Sequence, residues 1–162
     1  MPATAAAKAQ AAKQLSDRAI LVADRDQGTR TATASILSRL GFEVIEADSP
    51  RTALAQARLG QFACGILDLN LAEIGTFEVC RRLLAQRHWT WTPMIITSAR
   101  QPRLDLRVSM QGAGFGYLPK PFRADHLMAA VGDALATGGQ IRHARPDRRV
   151  VLDRAEAAAA GA

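Results

Sequence analysis

Aromatic side chains are scarce in this chain: one Tyr, two Trp and five Phe make up 5% of 162 residues. Any core must therefore be filled by aliphatic side chains and alanine, and a hydrophobic content of 48% supplies enough of them. Cysteine is limited to Cys64 and Cys80, both inside apolar patterns. They read as buried thiols in a reducing compartment, the cytoplasm, rather than as a disulfide. No apolar run reaches the length of a membrane span. The N-terminal Met1-Pro2-Ala3-Thr4-Ala5-Ala6-Ala7-Lys8 has no apolar h-region, so no secretory signal is expected. There is no internal repeat. The net charge of +6 is spread along helices rather than packed into one block, which argues against nucleic acid or anionic lipid as the main partner.

What is present is a regular alternation of strand and helix. Residues 1–17 read as an alanine-rich leader, helical or disordered. The compact part, 18–137, holds five βα units. Strands are expected at Ile20–Ala23, Phe42–Ala47, Phe62–Asp68, Met94–Ser98 and Gly116–Leu118. Helices are expected over Thr29–Leu40, with Ala32, Ile36 and Leu40 inward; from Ser49-Pro50 to Gly60, with Ala53, Leu54 and Ala57 inward; and over Phe77–Gln86, with Phe77, Cys80 and Leu84 inward. Two more follow over Arg103–Gln111 and over Asp125–Thr137, the last with Leu127, Val131 and Leu135 inward and Gly138-Gly139 as its stop. Ser49 supplies an N-cap, Pro50 a first-turn residue and Gly41 a left-handed stop. The pattern implies an α/β fold: a doubly wound, five-stranded parallel sheet with helices on both faces. Residues 138–162 form a basic, then alanine-rich extension, expected to be solvated or loosely docked, and no stretch reads as a separate output domain.

Four apolar runs end in a polar group: Asp24, Asp68, Ser98 and Lys120. A buried strand does not host a charge cheaply, so the charge sits where the strand meets water. In an open α/β sheet the carboxyl ends of the strands converge on one crevice, where such folds bind ligands. Two carboxylates, a hydroxyl and an ammonium in one crevice suit holding a cation and accepting a phosphoryl group.

These four positions, in this order, together with Tyr117 and Lys120-Pro121-Phe122, resemble the receiver domain of bacterial two-component response regulators, a flavodoxin-like (βα)5 fold. The resemblance spans about Arg18 to Thr137. It implies that Asp68 is the phospho-acceptor and that Lys120 pairs with the phosphoryl group. It implies that Ser98 and Tyr117 are the switch residues. A Mg²⁺ ion would be held by Asp24, Asp68 and the backbone carbonyl of Asn70. Lys120-Pro121 would be a cis bond. The partners implied are a sensor histidine kinase or a histidine phosphotransfer protein and an unidentified downstream protein. A homodimer through the region from Arg103 to Leu118 is common among relatives. Enzymatic activity is limited to self-phosphorylation and dephosphorylation.

The chain departs from that pattern at Arg25, where the family carries its second acidic residue. Arginine only donates and cannot bind a cation. Either Asp26 bends in as a metal ligand, or Arg25 pairs with Asp68 and stands in for the metal charge. The loop after Asp68 differs too, with Ala72 in place of proline and Gly75-Thr76 in place of Asp-Gly. Two function readings follow: a stand-alone phosphorylated receiver, or a degenerate receiver that binds partners without phosphorylation because of Arg25. Asp24-Arg25-Asp26 also resembles the opening of haloacid-dehalogenase-like phosphatases, with Asp24 as nucleophile and Asp26 as acid/base. In that family's terms Gly28 and Thr29 come one place late, Asp125 and Asp133 are isolated, and Asp68 has no task. A nucleic-acid arm in the basic tail is the remaining alternative.

Overall fold

The computed structural model describes residues 18–71, 73–101, 110, 114–144 and 148–160. The leader and most of the helix expected over Arg103–Gln111 lie outside them. Met110 of that helix is described, and it is buried.

Five strands form one parallel sheet: β1 (Ala19–Ala23), β2 (Glu43–Ala47), β3 (Cys64–Asp68), β4 (Met94–Ser98) and β5 (Phe115–Pro119), in the order β2-β1-β3-β4-β5. This is the doubly wound arrangement expected. The inner strands β1, β3 and β4 are buried along their whole length, which is why they read as unbroken apolar runs rather than as alternation. β2 lies at an edge and leaves both glutamates exposed.

The helices are α1 (Gln27–Arg39), α2 (Pro50–Ala57), α3 (Thr76–Leu84), α4 (Ala124–Ala144) and α5 (Arg148–Ala160). One face of the sheet packs Ile20, Val22, Ile66 and Ile95 against Leu37 of α1 and Leu127 and Val131 of α4. The other packs Leu21, Leu67 and Ile96 against Ala53 of α2, Val79, Cys80 and Leu83 of α3, and Leu152 of α5. The helix starts are as the sequence implies. Ser49 caps α2 by accepting the Thr52 N–H at 3.2 Å, with Pro50 in the first turn. Gly41 takes a φ of 87° where the chain leaves α1.

Three helix readings need correction. The inward face of α1 is Thr33, Ala34 and Leu37, whereas Leu40 is 43% exposed. A line drawn through every fourth residue drifts around a helix of 3.6 residues per turn, so the stripe through Ala32, Ile36 and Leu40 leaves the sheet. In α3, Phe77 is only half-buried, and Val79 and Leu83 fill the core beside Cys80 and Leu84. In α4, Ala134 faces inward in place of Leu135, and the helix runs through Gly138-Gly139 to Ala144. A helical glycine weakens a helix by about 1 kcal/mol relative to alanine but does not by itself end it.

Within the C-terminal extension, expected to be solvated or loosely docked, α5 is anchored to the core by two buried residues. Leu152 is fully buried against the core, and Arg148 is buried at the start of α5. The Arg148 guanidinium donates to the carbonyls of Thr90 and Thr92, each at 2.8 Å, and to that of Trp89 at 3.4 Å. It also lies 4.8 Å from the centre of the Phe115 ring. Burial pushes its pKa down to about 10, so it remains charged at neutral pH. Arg81 of α3 pairs with Asp153 at 3.1 Å and with Glu156, tying α5 down on its outer side. Trp89, which sits under this contact, packs on Phe62 and lies so close to Gly65 that a Cβ there would meet its ring at 3.0 Å. A side chain larger than hydrogen at position 65 would displace the indole.

Both cysteines are free and buried, and burial pushes each thiol up to about 12, so neither is reactive at neutral pH. Among the described residues no helix is long and apolar enough to cross a membrane.

Candidate functional site

The carboxyl ends of β1, β3, β4 and β5 open into one cleft of about 620 Å³, lined by Asp24, Arg25, Asp26, Asp68, Asn70, Ser98, Arg100 and Lys120 among others. The four polar strand ends therefore meet, as the topology requires. Asp24 and Asp68 are buried, and Ser98 is buried beside them. The backbone fixes their heights: the Leu69 N–H donates to the Thr97 carbonyl at 2.7 Å, and the Lys120 N–H donates to the Ser98 carbonyl at 2.8 Å.

Lys120 is the hub. Its Nζ lies 2.6 Å from Asp24 Oδ2 and 2.9 Å from Asp68 Oδ1. Burial alone would lower the pKa of this ammonium, but the hydrogen bonds and charges of Asp24 and Asp68 outweigh it and hold the pKa above the ordinary lysine value. The Lys120-Pro121 bond that follows is cis.

Ser98 and Tyr117, the two residues expected to act as a switch, meet at one residue that the sequence did not single out. The Arg100 N–H donates to Ser98 Oγ at 2.9 Å, and the Tyr117 hydroxyl donates to the Arg100 carbonyl. Arg30 was also missed. Its guanidinium donates to the Asp24 carbonyl at 2.8 Å and reaches Glu46 at 3.4 Å, so it braces the end of β1 against β2. Thr76, at the start of α3, donates its hydroxyl to the Asp68 carbonyl and is buried. An arginine in a first helical turn and a threonine after a glycine carry no sequence signal that separates bracing from solvation.

Asp26 does not bend toward Asp68. It caps α1, its Oδ2 accepting the Thr29 N–H and the Thr29 hydroxyl at 2.7 Å each. Those hydrogen bonds hold its carboxyl below the usual range. Its own N–H donates to Asp24 Oδ1 at 2.8 Å. Arg25 does not pair with Asp68. It is exposed at the mouth of the cleft and has no ion-pair partner among the described residues, since Lys120 already holds Asp68. In the loop after Asp68, Glu73 adopts a φ of 71° and Gly75 a φ of 75°. The left-handed turn is thus shared between a glutamate, where it is costly, and a glycine, where it is not.

The donor set does not fit a divalent cation well. Asp24, Asp68 and the Asn70 carbonyl are oxygen donors on the cleft, but the third carboxylate caps a helix and an arginine stands at the family's acidic position. Lys120 already holds both carboxylates of the remaining pair. Among the described residues no group of three or more His, Cys, Asp or Glu side chains is placed to hold a metal ion. The arrangement is instead suited to an incoming anion: a buried carboxylate, an ammonium beside it and two exposed arginines, Arg25 and Arg100, lining the cleft.

A doubly wound parallel sheet whose crevice gathers two aspartates, a serine and a lysine is the architecture of a receiver-like α/β domain. The comparisons with known proteins make the class specific. The family model described as "Response regulator receiver domain" matches residues 20–132. The chain belongs to this family. It is 34% identical over 122 residues to the transcriptional regulatory protein TcrA of Mycobacterium tuberculosis, covering 75% of this chain and 47% of that protein. It is 30% identical over 116 residues to the KDP operon transcriptional regulatory protein KdpE of Escherichia coli, covering 72% of this chain and 50% of that protein. The chain thus spans about half the length of these curated relatives. Among solved structures it is similar to the chemotaxis response regulator CheY4 of Vibrio cholerae, with a TM-score of 0.66 and 25% identity, covering 72% of this chain and 98% of that one. Receiver domains of two-component systems interact with histidine kinases or phosphotransfer proteins and generally bind Mg²⁺.

Proposed function

We propose that this receiver accepts a phosphoryl group on Asp68 from a sensor histidine kinase or a histidine phosphotransfer protein, in the cytoplasm, and signals by docking on a downstream protein. The observation that carries this reading is the Lys120 ammonium held between Asp24 and Asp68 at the floor of an open cleft. In the transfer, an Oδ of Asp68 forms a bond to phosphorus while the P–N bond to the donor histidine breaks, and the imidazole nitrogen keeps the electron pair. A carboxylate is a weak nucleophile, so catalysis is mostly positioning and charge neutralisation. Lys120 supplies a point charge to the oxygens of the phosphoryl group.

The switch follows from the hydrogen bonds at Arg100. When Ser98 turns its hydroxyl toward the phosphoryl group, the Arg100 N–H loses its acceptor, and the carbonyl that Tyr117 holds shifts with it. Tyr117 then changes its exposure on the surface beside β5, where a partner reads it.

Arg25 favours a second reading, a degenerate receiver that keeps the docking surface and loses phosphorylation. In both readings Mg²⁺ binding is weak or absent, because Asp26 is committed to α1. Incubation with a phosphorylated histidine phosphotransfer protein, read by intact mass and by peptide mapping, separates the two. The first reading expects one added phosphate on the peptide holding Asp68, lost in Asp68→Ala. An unchanged mass across several donors favours the second, and a phosphate that persists in Asp68→Ala ends the first.

A further inference from the structure

Arg25 and Arg100 follow different strands, β1 and β4, yet line the mouth of the same cleft above Asp68. Both are exposed, and neither side chain has an ion-pair partner among the described residues. The carboxylate that could have neutralised Arg25, Asp26, is turned away and caps α1. Two exposed guanidinium groups lining a cleft that also holds a lysine–carboxylate pair are chemically suited to a tetrahedral dianion.

We propose that Arg25 and Arg100 bind the phosphoryl oxygens of an acyl phosphate and let Asp68 be phosphorylated without a divalent cation. This rests on Asp68 being the acceptor. In the step, an Asp68 oxygen forms the new P–O bond, the P–O bond to the acyl carbon's oxygen breaks, and a carboxylate leaves with the electron pair. No proton moves and no co-reactant is needed. The transfer turns the single negative charge of Asp68 into about two on the phosphoryl group. Lys120 offsets only one of the two negative charges of Asp24 and Asp68, so the added charge needs a further cation. In the family that role belongs to the metal. In this chain the position that should supply a metal ligand carries a fixed positive charge instead, on the lining of the same cleft.

The test uses the full chain with acetyl phosphate as donor, in EDTA and separately in MgCl₂, with Asp68 phosphorylation read by intact mass over time. Magnesium binding is measured in parallel by calorimetry on the unphosphorylated protein. The expected result is the same rate, within about twofold, in EDTA and in magnesium, and no calorimetric binding of Mg²⁺. Arg25→Ala should slow the EDTA reaction about tenfold, the size of losing one charge-assisted hydrogen bond to phosphate. Arg25→Asp should restore the metal site: it should bind Mg²⁺ in the calorimeter and be phosphorylated only when Mg²⁺ is present. A wild type phosphorylated only with magnesium overturns this inference and leaves Asp68 as the acceptor. A wild type inert in both buffers overturns the inference, and phospho-acceptance by the natural chain falls with it only if a phosphorylated histidine phosphotransfer protein also leaves the mass unchanged. If Arg25→Asp alone then reacts, Arg25 is the residue that silenced the site.

Discussion

Two cations have been drawn out of water in this molecule, and they are held in opposite ways. Lys120 sits between two carboxylates at the floor of an open cleft. Arg148 sits at the other end of the sheet, where its guanidinium donates to three backbone carbonyls and lies against an aromatic ring. Charges that balance each other can exchange partners when a new ion arrives, so the Lys120 arrangement can be remade by a phosphoryl group. Neutral dipoles aimed at one guanidinium have no second use. Arg148 is therefore a pin that fixes α5 to the loop before β4, and Lys120 is part of a site.

The widest separation between the two should come from Asp68→Ala and Arg148→Met. Asp68→Ala should remove phosphate uptake completely while changing the urea unfolding free energy by less than about 1 kcal/mol, because Lys120 keeps Asp24 as a partner. Arg148→Met should do the reverse. Leaving the Thr90 and Thr92 carbonyls buried and unpaired should cost about 3 kcal/mol, with phosphorylation within about twofold of wild type. If Arg148→Met abolishes phosphorylation at full occupancy of the folded state, the two ends of the sheet are coupled and the contrast fails.

Leu152→Ala tests whether α5 belongs to the core or lies on it. A fully buried leucine truncated to alanine costs about 2–5 kcal/mol. A loss under about 1 kcal/mol would mean that α5 undocks freely, and Arg148 would then be a surface residue much of the time.

Little of this contrast could be read from the chain alone. Asp24, Asp68, Ser98 and Lys120 were legible because each interrupts an apolar run, and a buried strand tolerates a polar residue only where it ends. The buried parallel sheet was legible for a related reason: strands buried on both faces leave unbroken apolar runs. Arg148 was not legible. Its partners are carbonyls, which every residue carries, in a loop more than fifty positions earlier. Nothing in a run of arginines marks the one that is buried. Leu135 and Leu40 misled because a helix offers several lines of apolar residues, and only tertiary packing chooses between them. Arg25 was seen as a departure, but its freedom from Asp68 depends on Lys120 arriving first, which is a matter of geometry.

Lys120 also carries a pH dependence. Its pKa is raised above the ordinary value of 10.5 in the folded state. Its contribution is therefore fully present below pH 10.5 and lost as pH rises through the higher folded value. Removing the ammonium leaves two carboxylates facing each other, so Lys120→Met should be less stable than wild type by about 2 kcal/mol at neutral pH, less than the 3–5 of a fully buried pair because the cleft is open to water. The difference between the two proteins should stay level to about pH 10 and shrink above it. Urea titrations at a series of pH values measure it directly, and a gap that stays constant beyond pH 12 would mean that charge is not what Lys120 contributes.

The smallest effect is expected at Asp26, and it separates capping from metal binding. Serine caps a helix about as well as aspartate, so Asp26→Ser should change stability by less than about 0.5 kcal/mol, whereas Asp26→Ala should cost about 1 kcal/mol through the lost bonds to Thr29. The carboxyl is held below its usual range by those bonds, so its contribution is present above the unfolded value near 3.8 and fades as pH falls through the folded one. The advantage of Asp26 over Asp26→Ala should therefore narrow in acid, while Asp26→Ser, which has no charge to lose, should hold its advantage over alanine down to the lowest pH at which the protein stays folded. If the serine variant instead falls to the level of alanine at neutral pH, the carboxylate is doing something a cap does not require, and a cation beside Asp24 becomes the first place to look.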